Sequence, residues 1–311
     1  MLRSLALRAL LLAITLPVSG YAQAQSEKFT QRTLIVNVRD MKGNFVSSLG
    51  LENFRAHKIG VGISAVRRAE RKRRVVIVLD TSGSMASAPI PVVSRFTAGE
   101  LVHSLPGEPE FALVVFARKV EGTVPFGHSR KEVLSAIDEA TLLEHKGQTS
   151  LWDALSCAMD LLNPAQIGDA VVVVSDGGDS TSSTSRDKLK MTYISAGVRV
   201  FAFEPKVGIT VSSPSGPVQF QTEEEILGID NLRDFATVTG GAAVTIEENN
   251  GPHLFTMTHM LEDQISQYYL LDVRVPESLK KTGQLKLEVV DPLGTNRKDV
   301  KVIVPQYLPI R

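Results

Sequence analysis

The middle of the chain alternates between short apolar runs and amphipathic segments. Four apolar runs are continuous and rich in β-branched and aromatic residues, which is typical of strands covered on both faces of a parallel sheet. Helical periodicity separates the runs. The predicted strands lie at 75–79, 112–116, 171–174, 198–203 and 242–246, and the predicted helices at about 91–104, 130–140, 150–163, 185–196, 229–239 and 252–267. Strands that alternate with helices predict right-handed crossovers and a doubly wound, mostly parallel α/β sheet.

The two ends of the chain have a different pattern, in which short strands are separated by turn residues. These strands are predicted at 33–39, 61–66, 268–275, 285–290 and 300–304. Neither end looks large enough for a core of its own. We therefore predict that an N-terminal β segment, 25–70, packs with a C-terminal β segment, 266–311, as a small accessory β unit beside an α/β domain of residues 71–265.

The first residues have the pattern of a secretory signal peptide. Arg3 and Arg8 form a positive region, residues 9–18 are apolar, and residues 22–24 form a small-x-small cleavage signal. The apolar run is shorter than the roughly 20 residues that span a bilayer. We predict a signal peptide over residues 1–24, export to the periplasm or the medium, and no transmembrane helix in the mature chain. A retained N-terminal anchor is the alternative.

Charge and cysteine content narrow the function only slightly. The chain has 34 basic and 34 acidic residues, so its net charge gives no reason to expect a nucleic-acid partner. A basic run at 67–74 is interpreted as a solvated linker, with an anionic-surface contact or a protease-sensitive junction as alternatives. Cys157 is the only cysteine, which excludes an intrachain disulfide and favours a buried apolar role.

A polar loop follows the first strand of the α/β region. Residues 80–84 read Asp-Thr-Ser-Gly-Ser, so one carboxylate and two hydroxyls stand at alternate positions across a tight turn. Ligand sites in open α/β sheets form beyond the carboxyl ends of the strands, and this loop is placed there. Hard oxygen ligands of this kind suit Mg²⁺, Mn²⁺ or Ca²⁺ and not zinc. Thr149 opens a predicted helix, and Asp176 follows a later apolar strand.

The pattern Asp80-x-Ser82-x-Ser84 resembles the first element of the metal-ion-dependent adhesion site of von Willebrand factor type A and integrin inserted domains. The resemblance covers roughly residues 73–250 and implies a Rossmann-like domain. It implies a metal site made of Asp80, Ser82, Ser84, Thr149 and Asp176. It also implies that both serines, with Thr149 or an aspartate, bind the cation directly while the others act through water.

The flanks are similar to those of exported bacterial proteins related to the von Willebrand factor type A family, especially acidobacterial ones. The similar segments are residues 37–54, which precede the domain, and residues 267–270, which follow it. The resemblance implies divalent-cation-dependent protein binding or adhesion. A cation with few direct carboxylate ligands can accept an acidic side chain from a protein partner. The alternative is a scaffold or assembly subunit whose metal is purely structural.

An enzyme is the main competing class. Ser82 as a hydrolase nucleophile would need a positioned histidine, and none of the six histidines lies in a recognisable motif, although His145 is near Thr149 in sequence. The chain has no phosphate-binding loop of the P-loop type and no His/Cys cluster for zinc. We predict that the protein is not an enzyme. Asp179 is interpreted as a solvated loop carboxylate, with a role at the rim of the metal site as the alternative.

Overall fold

The computed structural model describes most of the chain after the predicted signal peptide, which itself lies outside the described residues. The described residues are 28–57, 60–68, 73–142, 144–205, 209–213, 216–220, 222–246, 251–277 and 285–306. The strands are β1 (Phe29–Asp40), β2 (Phe54–Ala56), β3 (Gly62–Arg68), β4 (Arg74–Asp80), β5 (Glu110–Phe116), β6 (Val120–Val124), β7 (Ala170–Val174), β8 (Arg199–Pro205), β9 (Ile209–Ser213), β10 (Gly216–Phe220), β11 (Ala243–Ile246), β12 (Tyr269–Pro276), β13 (Leu287–Val289) and β14 (Val300–Ile303). The helices are α1 (Ile90–Ser104), α2 (Arg130–Leu142), α3 (Leu151–Leu161), α4 (Arg186–Ala196), α5 (Glu223–Val238) and α6 (Gly251–Ser266). Within the described part of the chain, none of these helices is long and apolar enough to cross a membrane.

The central sheet has the strand order β11-β8-β7-β4-β5-β6. Its neighbouring strands are parallel except for β5 and β6, which are antiparallel. The chain passes from β4 through α1 to β5 on one side, and later returns to β7 on the other side. The direction of winding therefore reverses at β4, and the carboxyl end of this strand is where doubly wound folds form ligand sites. The predicted fold class is confirmed.

Successive side chains of β4 face two different helix layers. Val75, Ile77 and Leu79 pack with apolar residues of α1, α2 and α6. Val76 and Val78 pack with apolar residues of α3, α4 and α5 on the opposite face. All five side chains are almost completely buried. Because helices cover both faces, the strand can be apolar at every position, which explains the continuous run in the sequence.

Strands from both ends of the chain share a second, antiparallel sheet of order β14-β1-β12-β3. β1 pairs with β12 along one part of its length and with β14 along another. The short pair of β2 and β13 packs against it, and the ring of Tyr269 lies 5.5 Å from that of Phe54 in an edge-to-face contact. This sheet is the accessory β unit of the predicted fold. Its proposed boundaries with the α/β domain remain a prediction.

The structure differs from the sequence prediction at several places, one of which is the short strand β2, which was not predicted. β6 is an antiparallel edge strand that follows β5, and β9 and β10 form a hairpin between β8 and α5; neither was predicted. Helix α5 begins at Glu223 and not near residue 229. It begins early because Thr222 and Glu225 form a capping box, in which the Glu225 amide donates to the Thr222 hydroxyl at 3.2 Å and the Thr222 amide donates to the Glu225 carboxylate at 2.6 Å.

Arg73 and Arg74 are partly buried, so the interpretation of the basic run as a solvated linker is wrong for these two residues, whereas Arg67 and Arg68 are exposed as that interpretation predicts. Arg67 pairs with Asp272 at 2.7 Å. Arg74 pairs with the buried Asp169 at 2.5 Å. Arg73 donates to the carbonyls of Pro106 and Ser266. Arg67 therefore pairs within the accessory sheet, whereas Arg73 and Arg74 contact elements around the central sheet.

Candidate metal centre at the carboxyl edge of the sheet

Three loops meet beyond the carboxyl ends of β4 and β7. The Gly83 amide donates to the Gly147 carbonyl at 3.1 Å, which joins the loop after β4 to the loop before α3. The Ser175 hydroxyl donates to the Asp80 carboxylate at 2.6 Å, which joins the loop after β4 to the loop after β7. A Cβ on Gly83 would lie 3.2 Å from the Gly147 carbonyl oxygen. The close backbone approach therefore accounts for a glycine between the two serines of the motif.

Asp80 is the innermost side chain of the centre. It is completely buried, and its other carboxylate oxygen accepts a hydrogen bond from the Ser82 amide at 2.8 Å. Burial raises the pKa of Asp80, and the nearby negative charge of Asp176 raises it further. Both effects disfavour the charged form of Asp80. The structure therefore holds two acidic groups close together where a charged carboxylate is unfavourable.

The remaining predicted residues extend from Asp80 towards the surface. The Ser82 hydroxyl lies 3.3 Å from the hydroxyl of Ser84, which is exposed. Thr149 is 8% exposed and Asp176 is 5% exposed, and a carboxylate oxygen of Asp176 accepts from the Gly178 amide at 3.0 Å. Ser84, Thr149 and Asp176 line one cleft. The structure therefore brings the five predicted residues together at one edge of the sheet, whereas their role as metal ligands remains a prediction.

The donor set fits a hard divalent cation. It consists of two carboxylates and three hydroxyls, which are the oxygen ligands that Mg²⁺, Mn²⁺ and Ca²⁺ prefer. Across the described ranges, no group of three or more His, Cys, Asp or Glu side chains is placed to hold a metal ion, so a zinc-type centre is not seen there. Buried carboxylates are unfavourable unless something compensates their charge. The hydrogen bonds described for Asp80 and Asp176 come from neutral groups.

The cleft beside these residues has a volume of about 420 Å³ and is walled by the first turns of α5. The α5 residues include Glu225, Leu227 and Gly228. The backbone of Gly228 packs directly on the loop after β7, because a Cβ at this position would lie 2.9 Å from the Gly177 carbonyl oxygen. Nothing in the sequence motif pointed to this wall, since α5 is more than 40 residues beyond Asp176 along the chain.

Asp179 lies in the same cleft and is not the solvated carboxylate that we expected. It accepts a hydrogen bond from the Ser182 hydroxyl at 2.5 Å and a longer one from the Trp152 amide at 3.5 Å. Burial raises the pKa of Asp179. Ser175 was also missed at the level of sequence. Its position directly before Asp176, at the end of a buried strand, was the available signal.

Comparison with known proteins finds a family match for the region that contains the centre. Residues 75–178 match the family described as von Willebrand factor type A domain, and this range includes all five predicted ligands. Comparison with curated protein sequences gave no match.

Several solved structures are similar in part. BatB from Bacteroides thetaiotaomicron is 18% identical, with a TM-score of 0.46 over 62% of this chain and 98% of that chain. A von Willebrand factor type A protein from Catenulispora acidiphila is 13% identical, with a TM-score of 0.47 over 90% of this chain and 73% of that one. The pilus adhesin SpaC from Lactobacillus rhamnosus GG, in its open conformation, is 10% identical, with a TM-score of 0.47 over 86% of this chain and 46% of that one.

Proposed function

We propose that the region of residues 75–178, which matches the von Willebrand factor type A domain family, binds a protein partner through a divalent cation at the carboxyl edge of the central sheet. Asp80, Ser82, Ser84, Thr149 and Asp176 would hold the cation. Mg²⁺ is the expected ion, with Mn²⁺ and Ca²⁺ as alternatives. We further propose that the protein is exported, that it is not an enzyme, and that the partner contributes an acidic side chain.

The observation that supports this proposal most strongly is the pairing of two poorly compensated carboxylates with three hydroxyls. Asp80 is wholly buried, and the negative charge of Asp176 acts on it. A bound divalent cation would supply positive charge to both groups and an electrophilic position for a further carboxylate oxygen. Ser84 is exposed and lines the cleft, which supports a cation position that a partner can reach from solvent.

The complete burial of Asp80 also favours a second candidate function, in which the metal is structural and the protein is a scaffold or assembly subunit. The two functions differ in what metal does without a partner. A structural ion binds tightly and stabilises the protein on its own. An adhesive ion binds weakly alone and is needed for capture of the partner.

The test compares the protein of residues 25–311 with its Asp80→Asn variant. Calorimetric titration with MgCl₂ measures metal binding, and pull-down from native periplasm or culture medium, in Mg²⁺ or in EDTA, measures capture. We expect the wild type to bind Mg²⁺ and to capture a partner only when metal is present. Asp80→Asn should lose both properties while remaining folded, because the change removes a buried charge.

Asp160→Asn is the matched control, since it makes the same chemical change at the far, exposed end of α3. This variant should behave as wild type. Partner capture that survives both EDTA and Asp80→Asn would overturn the metal-dependent mechanism. Tight Mg²⁺ binding with no metal-dependent capture would favour the structural alternative.

A further inference from the structure

A second cavity lies where β4 begins, between the C-terminal ends of α1 and α6. We propose that it binds a small oxyanion, meaning a molecule with a carboxylate or phosphate group, whose oxygens accept hydrogen bonds from Arg73 and Ser266. The cavity is separate from the candidate metal centre, because β4 runs from Arg74 to Asp80 and places its two ends about 20 Å apart. The inference therefore does not depend on the proposed function.

The cavity is polar and large enough for a small molecule. Its volume is about 500 Å³, which is within the usual range for sites that hold small ligands. Arg73 lines one side, Ser104 lines another from the end of α1, and Ser266 lines a third from the end of α6. Among the described residues that line the cavity, only Pro106 is apolar. A ligand of this cavity is therefore held by polar contacts.

Two buried polar groups of the wall have no hydrogen-bond partner among the described residues. They are the Nε of Arg73 and the hydroxyl of Ser266. Ser266 is only 9% exposed. The Arg73 Nη2 donates to the Ser266 carbonyl at 3.0 Å, so the two unpartnered groups belong to residues in direct contact. Buried donors without an acceptor are unfavourable, and a ligand with acceptor oxygens would relieve both.

The positive charge of Arg73 has no carboxylate partner in the described part of the chain. Its guanidinium donates to two neutral carbonyls, that of Pro106 at 2.8 Å and that of Ser266. A second arginine is close, because burial lowers the pKa of Arg199 and the positive charge of Arg73 lowers it further. An anion beside Arg73 would compensate charge that the protein leaves uncompensated.

The two acids of the wall already have partners. Glu262 is 4% exposed, and its carboxylate contacts the Ser104 hydroxyl and the Nδ1 of His259. Asp263 pairs with Arg39. A cationic ligand would be repelled by the unpaired guanidinium, and an apolar ligand would leave the buried donors without acceptors. The acids therefore do not change the sign of the expected ligand.

An oxyanion matches both unpartnered groups. Guanidinium N–H groups form strong, charge-assisted hydrogen bonds with carboxylate and phosphate oxygens. A serine hydroxyl can donate to the same anion. One oxyanion group can thus accept from the Nε of Arg73 and from the Ser266 hydroxyl, and the rest of a small organic molecule would occupy the remaining volume.

The experiment titrates the protein of residues 25–311 with succinate and, separately, with inorganic phosphate in a calorimeter. The buffer is low in salt and free of metal, because salt screens the attraction and a metal ion would bind both anions. Succinamide, the uncharged analogue of succinate, is the ligand control. We expect saturable binding of one anion per chain and no binding of succinamide. The anion that binds more tightly identifies the site as one for carboxylates or for phosphates.

Ser266→Ala tests the site without removing a hydrogen bond that the protein itself makes. Its thermal midpoint without ligand should equal that of wild type. Its affinity for the anion should be about tenfold lower, as expected for loss of one hydrogen bond to a charged group. Ser94→Ala is the matched control, since it removes another buried hydroxyl without a partner among the described residues, away from the cavity. It should bind the anion as wild type does.

Each alternative outcome overturns the inference. If neither anion shows saturable binding, solvent alone satisfies Arg73 and Ser266. If succinamide binds as well as succinate, the site does not recognise charge. If Ser266→Ala binds as tightly as Ser94→Ala, the anion lies elsewhere on the protein. None of these results bears on the metal-dependent mechanism, which the pull-down in Mg²⁺ or in EDTA tests separately.

Discussion

Replacing Gly228 with alanine tests the contact between α5 and the loop that carries Asp176. Gly228 is buried in the first half of α5, and a Cβ there would lie 2.9 Å from the Gly177 carbonyl oxygen and 3.1 Å from the Gly178 amide nitrogen. These neighbours are backbone atoms, which cannot rotate away as a flexible side chain would. Either α5 or the loop must therefore move.

Two opposing effects set the change in the free energy of unfolding that Gly228→Ala causes. Alanine is favoured over glycine inside a helix by about 1 kcal/mol. Overpacking against backbone costs about 3 kcal/mol, at the upper end of the usual range. The net expectation for Gly228→Ala is a loss of roughly 2 kcal/mol in the free energy of unfolding. Gly99 in α1 is the matched control, because a Cβ there would meet only the Leu134 side chain at 3.8 Å. Gly99→Ala should raise the free energy of unfolding by about 1 kcal/mol.

Urea unfolding in EDTA, followed by circular dichroism, measures both variants without any contribution from metal. Gly228→Ala should be less stable than wild type, and Gly99→Ala should be more stable. Thermal midpoints should agree, with a change of about 2–4 °C for each kcal/mol. If Gly228→Ala stabilises the protein as much as Gly99→Ala does, the close approach of α5 to the Gly177 loop is not a packing constraint, and the reasoning about the cleft wall fails.

Three further predictions concern the centre and the accessory sheet. Mg²⁺ at a hundred times its dissociation constant should stabilise the wild type by about 2.7 kcal/mol in calorimetric melts, and an unchanged midpoint for wild type would contradict a metal site. Ser175→Ala should lower the free energy of unfolding in urea by about 2 kcal/mol, because the Ser175 hydroxyl donates to the Asp80 carboxylate. Ser94→Ala is the control and should be neutral or slightly stabilising, since the buried Ser94 hydroxyl has no partner among the described residues. Equal losses of stability in the two variants would refute the contribution of the Ser175–Asp80 hydrogen bond. A fragment of residues 71–265 should melt below the protein of residues 25–311, and equal midpoints would show that the accessory sheet adds no stability.

The central sheet was predictable because its signals are local and strong. Strands covered on both faces leave a continuous apolar run, and the run at 75–79 corresponds to most of β4. The carboxyl end of such a strand is a ligand edge in any doubly wound sheet. The placement of Asp80 and Asp176 at one edge therefore followed from the sequence pattern together with the family resemblance.

The wall of the cleft was not predictable in the same way. It depends on α5, whose start is set by the capping box of Thr222 and Glu225 and not by its apolar period. Which face of α5 meets the loop after β7 depends on the close contact of Gly228 with Gly177. Contacts of this kind arise from packing between distant segments, and a single sequence carries no local pattern that specifies them.

The contacts at the end of α6 were not predictable from the sequence either, and they explain how the accessory sheet is joined to the α/β domain. The last carbonyls of a helix have no partners inside it, and here two arginines from separate segments provide them. Arg199 of β8 donates to the Gln264 and Ile265 carbonyls at 2.9 and 3.1 Å, and Arg73 donates to the Ser266 carbonyl at 3.0 Å.

Arg39 of β1 completes this arrangement through an ion pair with Asp263. Burial lowers the pKa of both Arg199 and Arg39 to about 10, which leaves them charged at neutral pH. Positive charge at a helix C-terminus is favourable, so the arrangement stabilises α6 where the chain leaves the α/β domain for β12. In the sequence these arginines look like isolated or linker charges, and only the fold shows that they bind one helix end. The accessory sheet is therefore fastened to α6 by side chains as well as by the chain itself, which is the physical reason to expect that removing it weakens the whole protein.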